Sequence, residues 1–216
     1  LGPISLQPSE FAKLALILYL ATLLADRDRK VTSLFNGFVA PLLVVGLLAG
    51  LTLMQPDLGT AVLLGLSALL VLFVAGTRLL YIAVAGMLAA PLAWFAVVGT
   101  SWRLKRLMAF FDPEAHRTGA GYQVWEALVT IGSGGVSGVG LGEGQQKLFY
   151  LPEAHTDFIL AIIGQELGFV GVVLVLLLFA LIIWRGARVA LRSGDRFGTY
   201  LAFGFTGMVA FQASIN

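Results

Sequence analysis

The chain has 216 residues, of which 58% are hydrophobic and only 12% charged, and its mean hydropathy is +0.91. That balance lies outside the range of a water-soluble globular domain and points to a chain immersed in lipid. The absence of cysteine excludes disulfides and thiolate metal sites, and the net charge of +2, with a pI near 9.1, reads as arginines marking the cytoplasmic side of a membrane rather than as a nucleic-acid surface.

The chain starts at Leu1 without a methionine or a basic leader and stops at Asn216 as an apolar stretch ends, so it is read as an internal piece of a longer protein. A helix needs about twenty apolar residues to cross the hydrocarbon core. About six stretches approach that length: 10–25, 38–54, 58–75, 79–99, 157–184 and 197–214. Gln55-Pro56-Asp57 and Ala75-Gly76-Thr77-Arg78 are expected to make tight hairpins between them. The expected fold is an all-α polytopic membrane protein, one membrane domain over 1–216 with one large loop at about 100–156.

Arg27, Arg29 and Lys30 fall in one short loop, Arg78 in another, and Arg185, Arg188, Arg192 and Arg196 in a third. With alternating spans these share one face, which the positive-inside rule makes cytoplasmic, so the long loop is extracytoplasmic.

Charged side chains inside spans are costly and mark functional positions by default. Glu10 and Lys13 are spaced i, i+3 on the first helix and can pair. Asp57 stands before Leu58, either as the N-cap of the next helix or in a polar cavity. In the loop, Trp102 to Phe111 interleaves apolar residues with Arg103, Lys105 and Arg106, a pattern suited to a helix lying in the interface, as an anchor or as a cationic patch for lipid headgroups. Asp112-Pro113 is a helix stop, and Gly119 to Val129 reads as a further short helix.

Gly132 to Gly144 holds seven glycines in thirteen positions but matches no phosphate-binding nucleotide motif, so nucleotide binding is not expected. It offers backbone that can take positive φ and approach a ligand closely, or else a floppy connector. With only His116 and His155, a zinc site is poorly supported, although Asp and Glu oxygens could hold a divalent cation such as Mg or Mn. Glu153, His155, Thr156 and Asp157 crowd the N-terminus of the fifth span, and Glu166 lies about two turns inside it. A cap explains Thr156 or Asp157; a carboxylate beside an imidazole at that lip is also placed to act as a general base.

Leu6-Gln-Pro-Ser-Glu-Phe-Ala-Lys13, Gln55-Pro-Asp-Leu-Gly-Thr60, Gly121-Tyr-Gln123, Ile131-Gly-Ser-Gly-Gly135 and Leu151-Pro-Glu-Ala-His-Thr-Asp-Phe158 resemble, in order, the motifs of the bacterial shape, elongation, division and sporulation (SEDS) family, which includes FtsW, RodA and SpoVE. Gly140 to His155 is more similar to the division branch, FtsW, than to the elongation branch, RodA. The resemblance implies a bundle of about ten spans, some of them missing before Leu1 and after Asn216, that polymerises lipid II into glycan strands at the outer face of the cytoplasmic membrane. It implies that Asp157 is catalytic, with undecaprenyl pyrophosphate as the leaving group. Glu10, Lys13 and Asp57 would line the polar cavity. Arg103, Lys105, Arg106, Lys147 or a divalent cation would neutralise pyrophosphate, Glu153, His155 and Thr156 would orient Asp157, and Gly134 and Gly135 would let the loop close on the substrate. The implied partners are a class B penicillin-binding transpeptidase, other divisome or elongasome membrane proteins, and membrane lipid. A lipid II flippase or a divisome scaffold would share much of this pattern.

Overall fold

The computed structural model describes residues 7–26, 31–119, 121–143 and 158–215, which form helices joined by turns. In chain order these are α1 (Pro8–Ala25), a π-helix (Leu34–Val39) running into α2 (Ala40–Met54), α3 (Leu58–Val74), α4 (Leu79–Val98), α5 (Ser101–Phe111), α6 (Tyr122–Ser133), α7 (Ile159–Arg192) and α8 (Arg196–Ile215). The fold is that of an all-α polytopic membrane protein: Pro8–Ala25, Leu34–Met54, Leu79–Val98 and Ile159–Arg192 are each long and apolar enough to cross a membrane. The chain divides into two compact units, Leu1–Met87 with Phe179–Asn216, and Leu88–Leu178.

In the first unit, α1 buries Leu16, Leu20, Ala21 and Leu24, one stripe at helical spacing, with Leu64, Ala68, Val71 and Leu72 of α3 and Tyr200 of α8. Small residues on α8 allow the approach: a Cβ on Gly204 would sit 2.5 Å from Ile17 Cγ2 and 3.1 Å from Val71 Cγ2. Between apolar helices in lipid, where no hydrophobic effect drives association, this close backbone packing is the main attraction. The π-helix brings Phe38 to 5.5 Å, ring to ring, from Tyr81.

The outward faces are apolar. α4 buries no residue in the described structure, and Leu92 and Phe95 on it are 71% and 70% exposed. Such a surface is tolerable against lipid or against another apolar helix. Pro91 sits inside α4 without ending it, as prolines do in spanning helices.

Helix limits differ from the expected spans for local reasons. The second apolar helix starts at Leu34 rather than 38, because its first turn is π-helical, with the Ala40 N–H donating to Phe35 O, just ahead of Pro41, which has no N–H to give. α7 continues to Arg192, eight residues past the expected 184, because Arg, Ala and Leu after Trp184 are good helix formers with stems that can follow the helix out of the hydrocarbon. The segment at about 100–156 contains α5 and α6, where two short helices are expected. α6 occupies Tyr122–Ser133 rather than 119–129, since Gly121 first closes a turn by donating its N–H to His116 O at 3.2 Å.

Candidate active site

Two polar groupings hold most of the described candidate residues, one in each unit. In the first, α1 is entered through Gln7-Pro8, with proline at a position whose N–H would be unsatisfied anyway. Lys13 lies on the buried face at 3% exposure. Its Nζ is 2.7 Å from Glu10 Oε1 and donates to Gln212 Oε1 of α8 at 3.1 Å. The i, i+3 spacing foretold the Glu10–Lys13 pair; Gln212 was missed, since a neutral amide 199 residues away carries no local signal. Ser9, also 3% exposed, turns a hydroxyl into the same helix face with no partner among the described residues.

Asp57 caps α3: its Oδ1 accepts the Thr60 N–H at 2.9 Å and its Oδ2 accepts the Thr60 hydroxyl at 2.6 Å. Both carboxylate oxygens are thereby engaged at the N-terminal end of the helix, where negative charge is favourable.

In the second unit, Arg103 donates to the carbonyl of Ala96 at 3.0 Å, satisfying one of the orphan carbonyls at the end of α4, and lies over the Trp102 ring at 5.3 Å. Arg106 donates to Gln123 Oε1 at 3.2 Å and so ties α5 to α6. Lys105 is exposed. At the end of α5, Asp112 accepts the Ala115 N–H at 3.0 Å and its carbonyl meets His116 Nδ1 at 3.0 Å.

The largest departure from expectation is a break in α7. Gly168 has φ 68° and ψ −165°, a backbone that only glycine adopts without strain. The glycine-rich segment after α6 lies against that break and satisfies the groups it frees: Val139 N–H donates to Gln165 O at 3.0 Å and Gly140 N–H to Glu166 O at 3.1 Å. In return, Phe169 N–H donates to Gly135 O at 2.9 Å and Val170 N–H to Val136 O at 3.3 Å. A backbone group left unpaired in lipid would cost several kcal/mol, so the two irregular segments require each other. Gly134 and Gly138 make the approach possible, since a Cβ on either would collide with backbone of Gly164, Gln165 or Glu166. Under this clamp Gln165, 5% exposed, donates to Ser133 Oγ at 3.3 Å, and Ser133 donates to Thr130 O at 2.7 Å. Gly134 and Gly135 thus serve contact between two parts of the chain rather than an open loop.

Lys147, Glu153, His155, Thr156 and Asp157 lie outside the described residues. The clamp holds the first turns of α7, which begins at Ile159, two residues after Asp157. Among the described residues no three His, Asp or Glu side chains come together as a cation site.

A family model described as Cell cycle protein, spanning FtsW, RodA and SpoVE, matches residues 1–216. The chain belongs to this FtsW/RodA/SpoVE family. Among its relatives, a probable peptidoglycan glycosyltransferase FtsW of Trichlorobacter lovleyi is 46% identical over 212 residues, 98% of this chain and 56% of that protein. One of the same name from Alkalilimnicola ehrlichii is 47% identical over 219 residues, covering 100% of this chain and 55% of that protein. Stage V sporulation protein E of Bacillus subtilis is 40% identical over 215 residues, covering 100% of this chain and 59% of that protein. The chain therefore spans a little over half the length of the curated relatives it matches. A solved structure, from work on structural coordination of polymerization and crosslinking by a peptidoglycan synthase complex, is similar with a TM-score of 0.74 and 31% identity, over 98% of this chain and 58% of that one.

Proposed function

We propose that the full-length parent of this chain is a peptidoglycan glycosyltransferase of septal wall synthesis, which polymerises lipid II at the outer face of the cytoplasmic membrane. The observation that carries the reading is the family match over residues 1–216, together with relatives named probable peptidoglycan glycosyltransferase FtsW at 46% and 47% identity.

In this reading Asp157 takes the proton from the 4-hydroxyl of an acceptor lipid II sugar as that oxygen attacks the anomeric carbon of the growing lipid-linked strand. The anomeric C–O bond to undecaprenyl pyrophosphate breaks, and the configuration inverts. Glu153, His155 and Thr156 orient Asp157. Lys105, Arg106 and Lys147 supply positive charge for the leaving group, with Arg103 fixing the helix that carries two of them; a divalent cation, Mg or Mn, is the other source of that charge, and adding a chelator separates the two. Glu10, Lys13 and Asp57 line the polar cavity that receives the substrate. The loop at about 100–156 is extracytoplasmic, and the partner is a class B penicillin-binding transpeptidase.

Purified full-length protein in vesicles, given lipid II, tests this reading. Glycan strands formed without lipid II crossing the bilayer support it, whereas translocation without polymer would replace it with the flippase reading.

A further inference from the structure

The last turns of α7 and the start of α8 border an open cavity of about 380 Å³ lined by Arg185, Arg188, Val189, Arg192, Ser193 and Gly198. Arg185, Arg188 and Arg192 are spaced i, i+3 and i+7, so one helix face carries all three guanidinium groups. None is ion-paired among the described residues. The nearest carboxylate in sequence, Asp195, is already engaged: it accepts the Gly198 N–H at 2.9 Å and the Ser193 hydroxyl at 3.3 Å. Arg188 is held by the Trp184 ring, its Cζ 4.3 Å from the centroid. Three like charges around one cavity repel each other, and a topological signal alone would not require them to converge; an anion shared among them turns that repulsion into binding.

We propose that this cavity binds the phosphate of an anionic phospholipid headgroup. Guanidinium groups match phosphate oxygens with paired N–H donors. Depth selects the source. α7 is apolar from Phe169 to Trp184 and turns basic at Arg185, so the cavity opens where the helix leaves hydrocarbon, with Trp184 at the level where amphipathic rings collect. Basic pockets between spanning helices at that level bind anionic headgroups. None of the lining residues is among those assigned to glycosyl transfer above.

The test uses the full-length protein, purified in detergent and stripped of lipid, with cardiolipin, phosphatidylglycerol, phosphatidylcholine or inorganic phosphate added separately. Thermal unfolding reads the effect, and native mass spectrometry counts retained lipid. Cardiolipin or phosphatidylglycerol raises the unfolding midpoint of the wild type, phosphatidylcholine does not, and apparent affinity falls about fivefold for each arginine changed in R185Q/R188Q/R192Q. R78Q, an arginine in a different turn, keeps wild-type affinity. Unchanged affinity in the triple variant, or equal stabilisation by phosphatidylcholine, overturns the proposal; inorganic phosphate acting as strongly as the lipids overturns the lipid source. If the triple variant does not fold, R188Q alone carries the test, and full lipid retention by it overturns the site.

Discussion

Lys13 is buried at 3% exposure, yet its ion-pair partner Glu10, 2.7 Å away on the same helix, keeps 54% of its side chain exposed. The pair is therefore asymmetric. Glu10→Ala strands a buried ammonium with only the Gln212 amide to receive it, and should destabilise by on the order of 3 kcal/mol. Lys13→Met keeps the aliphatic volume and leaves a carboxylate that water can reach, so it should cost about 1 kcal/mol or less. Thermal unfolding of the two variants in detergent checks the order; equal losses would mean that Lys13 is solvated in the membrane.

Asp57 offers a cleaner separation of structure from function. Asp57→Ala removes the α3 cap and should cost about 1 kcal/mol, whereas Asp57→Asn keeps an oxygen for the Thr60 N–H and should cost a few tenths. If the carboxylate also meets substrate, both variants lose polymerase activity; an Asn variant with wild-type turnover confines Asp57 to capping.

At the α7 break, Gly138 and Gly142 both have positive φ, 80° and 83°, but only at Gly138 would a Cβ meet backbone. Gly142→Ala should cost about 1–2 kcal/mol of backbone strain. Gly138→Ala should also open the clamp and expose the Phe169 and Val170 N–H groups to exchange. Hydrogen-exchange mass spectrometry of peptides covering 165–172 reads this directly, and unchanged protection there in Gly138→Ala would contradict the clamp.

The bases of α5 divide by their contacts. Arg103→Gln removes one of two donors to the Ala96 carbonyl, which keeps the Thr100 hydroxyl at 3.2 Å, and should cost about 0.5 kcal/mol of stability. Lys105→Gln, on an exposed side chain, should leave stability unchanged and raise KM for lipid II several-fold if it faces the pyrophosphate. A Lys105→Gln enzyme with wild-type kinetics at low salt would remove it from the site.

Much of this was legible in the sequence because it is local. The Glu10–Lys13 spacing, the cap at Asp57 and the stop at Asp112 each follow from rules that act within one helical turn. The resemblance to the family rested on ordered motifs, and the family match over the whole chain agrees with it. What escaped is long-range: glycine within an apolar run such as Gly164-Gln-Glu-Leu-Gly168 reads as uninterrupted helix, because nothing local shows that a segment thirty residues earlier will satisfy the freed carbonyls. Gln212 was invisible for the same reason. The helix limits at Leu34 and Arg192 shifted because a π turn before Pro41 and a snorkelling arginine stretch both extend helix beyond the apolar run.

The central claim is that Asp157 is the general base of a lipid II polymerase. The most direct measurement is glycan-strand synthesis from purified lipid II by the full-length parent with its transpeptidase partner, comparing wild type with Asp157→Asn at equal expression and equal unfolding temperature. Polymer from the wild type and a loss of at least about a hundredfold in the variant is the predicted result. Equal polymer from both would contradict it and reduce Asp157 to a cap on the helix that follows.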